Sequence, residues 1–87
     1  MSSIGDAKAR IAQGSELADA ARTALRTART TVDDAIAALN QAAEGSGHEK
    51  AKAALRAYQD AAASLARAVT LLSAGQRAAN DYAESLG

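Results

Sequence analysis

A seven-residue beat runs through the first half of the chain: Ile4, Ile11, Ala18, Leu25, Val32 and Leu39. Three residues after each stands a small one: Ala7, Gly14, Ala21, Ala28, Ala35 and Ala42. A repeat of seven with apolar residues at its first and fourth positions is the pattern of a helix that lies along another helix. Small residues at the fourth position let the two backbones come close. The beat predicts architecture and carries no chemistry of its own.

Composition points the same way. Alanine, the best helix former, dominates, and proline is absent. The only aromatic residues are Tyr58 and Tyr82. With 87 residues and few bulky side chains, one helix pair can build only a thin core. There is no cysteine, so disulfides cannot staple it. Basic and acidic residues balance, ten against ten. No strong field therefore favours nucleic acid or an anionic membrane.

The strongest punctuation is Glu44-Gly45-Ser46-Gly47-His48-Glu49. Gly45 suits the left-handed residue that closes a helix. Ser46 and Glu49 have the spacing of a capping box that opens the next one. Ser3 and Asp6 give a weaker cap signal near the start of the chain. The expectation is one domain over residues 1–87: a first helix over about residues 3–44, a tight turn at about 45–47 and a second helix over about 47–85. So short a connection forces antiparallel neighbours, each roughly 60 Å long.

The second helix continues the pattern. Leu55, Ala62, Val69, Gln76 and Ala83 form one series, and Tyr58, Leu65, Leu72, Ala79 and Leu86 another. Folding at Ser46 sets Leu39 near Leu55, Val32 near Tyr58 and Ala62, Leu25 near Leu65 and Val69, and Ile4 near Leu86. A second stripe remains: Ala57, Ala61, Ser64, Ala68, Leu71, Gly75, Ala78 and Tyr82. One seam cannot cover both. The reading is an all-α antiparallel two-helix hairpin that dimerises into a four-helix bundle. Its expected partner-binding residues are Leu17, Ile36, Ala68, Leu71, Gly75 and Tyr82. Its partner is itself, as a homodimer, or another helical protein. Gly14 and Gly75 read first as small residues that permit close helix contact, and second as a notch for a partner's side chain.

Other chemistry finds little support. Arg22, Arg26 and Arg29 share a face and form the alternative site, for phosphate or nucleic acid, but Asp19 and Asp33 are spaced to pair with them. His48 stands alone, and a metal needs several ligands. Asp33 and Asp34 are neighbours on a helix and point about 100° apart, so they make no catalytic pair. The threonines lack a nearby base. The expectation is a non-enzymatic protein with no cofactor and no metal. No stretch has the length of a membrane-spanning helix, and the N-terminus lacks the pattern of a cleavable signal peptide. The expected location is the cytoplasm, or outside it by export without such a signal.

The capped hairpin of this length resembles the small WXG-motif proteins of bacterial type VII secretion. The Ala/Arg/Asp-rich, Lys-poor composition is similar to that of high-GC actinobacterial proteins. Gly47 stands at the glycine of the family's Trp-x-Gly turn, and Gly45 stands where the family has tryptophan. The family's signal, a Tyr followed four residues on by Asp or Glu, is replaced by Tyr82 with Leu86 and by Tyr58 with Ala62. The resemblance covers the architecture of the whole chain. It implies a hairpin that pairs with another hairpin and a link to type VII-like secretion.

Overall fold

Two long helices and one turn make up the protein. The computed structural model describes residues 3–45 and 47–87. Helix α1 runs over Ile4–Ala42 and helix α2 over Glu49–Ser85. They pack side by side as an antiparallel hairpin, with extents of 64 × 17 × 15 Å. Its radius of gyration is 19.5 Å; a compact domain of this length would have one of about 12 Å.

The helix ends follow from local chemistry. Ser3 caps α1 through a reciprocal box: the Asp6 amide donates to Ser3 Oγ at 3.0 Å, and the Ser3 amide donates to Asp6 Oδ2 at 3.4 Å. Two orphan donors of the first turn are thereby satisfied. At the other end the Ala43 amide donates to the Leu39 carbonyl at 2.9 Å. Gly45 then takes φ 76°, a left-handed conformation that costs a glycine little.

The opening of α2 differs from the expectation. Ser46 lies outside the described residues. The N-cap is His48, whose Nδ1 accepts from the Lys50 amide at 3.0 Å. An imidazole nitrogen does here what a serine oxygen does at other caps. Glu49 becomes the first helical residue, not the third.

Among the described residues four hydrogen bonds cross between the helices and fix their register. Gln76 Nε2 donates to the Ser15 carbonyl at 2.8 Å and to Asp19 Oδ1 at 3.0 Å. Ser15 Oγ donates to Asn80 Oδ1 at 3.3 Å, and Arg22 Nη1 to Ser73 Oγ at 3.0 Å. Further along, Leu25, Leu65 and Val69 border one recess, and Leu39 and Leu55 another, as the fold at residue 46 predicts. Ile4 is the exception. The same register sets Leu86 level with Lys8, and Ile4, beyond it, is 56% exposed.

The core is as thin as composition implies. Among the described residues only Ala62 is buried, at 7% exposure. Leu25, Val32, Leu39, Leu55, Leu65, Val69 and Leu72 are half-buried. On α1 the contact face is three positions wide. Gly14 and Ala42 of the expected seam are exposed, and Ser15 and Ala43, one residue on, are half-buried in their place.

Candidate functional site

One edge of the hairpin is apolar and uncovered. On α2 it carries Leu71, 63% exposed, and Tyr82, 59% exposed; on α1 it carries Leu17, 66% exposed. Between the helices on this edge runs a shallow open groove of about 660 Å³. Its walls come from Ile11, Gly14, Ser15 and Ala18 on α1 and Ala68, Leu71, Leu72, Gly75, Gln76 and Ala79 on α2. The lining is almost wholly apolar. Such a surface offers no acid, base or nucleophile. What it offers is area whose removal from water is favourable, at about 25 cal/mol per Å².

The two glycines matter to its shape. A Cβ on Gly14 or on Gly75 would meet nothing within 4 Å. Neither glycine serves close contact between α1 and α2, which overturns the first reading of them. Both line the groove, where their missing side chains deepen it.

The expected partner residues divide. Ala68, Leu71 and Gly75 line the groove. Tyr82 stands further along the same stripe of α2 and is exposed, as are Ala57, Ala61, Ser64 and Ala78. Ala68 is half-buried, because it borders both the groove and the seam. Ile36 departs from the group. It is half-buried and lies at least about 100° around α1 from Leu17, on the other edge of the contact with α2. Its place is in the hairpin's own seam.

The three arginines divide too. Arg22 Nη2 pairs with Asp19 Oδ1 at 2.6 Å while Nη1 reaches Ser73 across the hairpin. Its side chain is only 25% exposed, and its Nε is buried with no hydrogen-bond partner. Arg26 and Arg29 are exposed and border a smaller recess of about 250 Å³, with Leu25, Leu65, Ala66, Val69 and Thr70, on the edge away from the apolar groove. Arg22 is thus committed to holding the two helices together, and two arginines remain on the outer face. Among the described residues no group of three or more His, Asp or Glu lies close enough to hold a metal ion. Among the described residues no helix is long and apolar enough to cross a membrane.

No known protein family, curated protein or solved structure matches the chain.

Proposed function

We propose that this chain is a non-enzymatic protein–protein interaction module that works by laying the apolar edge of its hairpin against another helical element. The observation that carries the reading is the contrast between its two faces. Among the described residues the seam buries one alanine, whereas Leu17, Leu71 and Tyr82 stand more than half exposed on the helices that form a groove with apolar walls. Isolated exposed leucines are common on proteins; an apolar groove with Leu71 on its wall and further bulky exposed side chains, Leu17 and Tyr82, on the helices that form it is the mark of a contact surface. An amphipathic helix in a groove is a recurring mode of recognition. The architectural resemblance to WXG-motif hairpins supports the same reading and extends it to a role beside a type VII-like secretion system.

A photo-reactive residue at position 71, compared with one at Gln59, tests the reading in the native host. Gln59 is exposed and borders none of the three recesses. Adducts to a protein, this chain included, from position 71 and few or none from position 59 are the expected result. Equal labelling from both positions would contradict it. So would salt-dependent retention on DNA or RNA that is lost when Arg26 and Arg29 become Ala, which would move the function to the basic face.

A further inference from the structure

We infer that the apolar edge is covered by a second copy of this chain, with α2 lying antiparallel on α2 about a twofold axis that passes between Ala68 and Leu71. This rests on the docking role proposed above and names its occupant and geometry.

Exposed area gives the first argument. The chain exposes 6242 Å². A folded monomer of 8.8 kDa exposes about 4,800 Å². The excess, roughly 1,500 Å², is larger than the ~800 Å² that each partner of a stable complex buries.

The order of side chains along α2 gives the second. A twofold axis between Ala68 and Leu71 pairs each residue of the stripe with another residue of the same stripe. Leu71 meets Ala68 of the second copy, Tyr82 meets Ala57, and Gly75 meets Ser64. Each bulky side chain faces a small one, as interdigitated helices require. A parallel arrangement would set Leu71 on Leu71 and Tyr82 on Tyr82. The twofold contact is self-complementary and closes on itself, so it yields a dimer and not a fibre.

Charge gives the third. Beside the stripe stand Arg56, Asp60, Arg77 and Asp81, all exposed. Among the described residues none of these four has an ion-pair partner within its own chain. The axis that matches the apolar residues sets Arg56 within a turn of the second copy's Asp81. It likewise sets Asp60 within a turn of the second copy's Arg77. Symmetry repeats both pairs at the other end. In a parallel pair this flank of one copy would lie on the opposite side of the contact from the same flank of the other, and the four charges would find no partners among themselves. Charge therefore selects the same orientation that packing selects.

The chain has no cysteine, so introduced thiols report the geometry without interference. Ser64 and Gly75 stand eleven positions apart on one helix, about 16 Å, too far for a disulfide within one chain. With oxidised glutathione, the S64C/G75C protein should run mostly at twice the monomer mass on a non-reducing gel. An equal mixture of the two single variants should do so as well, and each single variant alone should not. A57C with Y82C is the independent second pair, should either change at 64 or 75 disturb folding as judged by circular dichroism. Self-linking of either single variant would show a parallel pair and overturn the inference. Absence of any linked dimer from both pairs would overturn it too. The docking role would then stand or fall separately, on whether position 71 labels a different protein.

Discussion

At the scale of single residues, stability rests on a few positions where contact is complete. Ala62 is the one buried residue among those described, and it faces the level of Val32. At 7% exposure it leaves little open space for a larger side chain. Ala62→Leu should cost about 1–3 kcal/mol by overpacking, read as a lower thermal midpoint. Gln76 presents the opposite case. It occupies a seam position and donates to the Ser15 carbonyl and to Asp19. A polar residue at such a position gives up some stability and fixes the register. Gln76→Leu should therefore leave the melting midpoint unchanged or raise it. A fall equivalent to more than about 1.5 kcal/mol would show that the two bonds contribute more than a typical pair.

At the scale of elements, each helix is held by its cap and by one face. The Ser3–Asp6 box closes the start of α1, and Ser3→Ala should cost about 1 kcal/mol, with faster amide exchange confined to the first turns. Gly14 sits in the interior of α1 with open space where a Cβ would go. Gly14→Ala should stabilise the chain by about 0.5–1 kcal/mol, since alanine loses less backbone entropy on joining a helix. The helices and their pairing were legible in the sequence. The bulky repeat that marks Leu25, Val32 and Leu39 is what the contact face uses, and its partners Leu55, Ala62 and Val69 lie where the turn at 45–47 puts them. The third strip of that face was not legible. It consists of Lys8, Ser15, Arg22, Ile36 and Ala43, mostly polar or small, and leaves no hydrophobic period to read. Ser15 and Arg22 join the contact by hydrogen bonding across it, and Ile36, further along the same strip, is half-buried. The glycines were misread for a related cause. A residue without a side chain shows in sequence that space is needed or free, and not which neighbour uses it.

At the scale of the whole molecule, a long hairpin with one buried residue among those described is, under the proposed pairing, half of a structure. Much of its area is spent on length, and a two-helix contact cannot exclude water from side chains as large as Leu71 or Tyr82. Pairing two hairpins along their apolar edges would cover the open groove and make a four-helix bundle, with Gly75 in the contact between the two α2 helices. If folding and pairing are linked in this way, the thermal midpoint depends on concentration. Each tenfold rise adds about 1.4 kcal/mol to the free energy of separating and unfolding the dimer. A midpoint that stays fixed over such a range would mean that the lone hairpin is stable by itself. The central claim is that the edge around Ala68 is covered by a second chain. Sedimentation equilibrium on the native protein and on Ala68→Arg, at the same micromolar concentration, tests it most directly, because a charge placed in that contact is costly without a partner and leaves most of the seam untouched. The expected result is a native protein of twice the monomer mass and a variant of monomer mass whose helicity recovers at high concentration. A native protein that sediments as a monomer, or a variant that remains a dimer, would contradict the account.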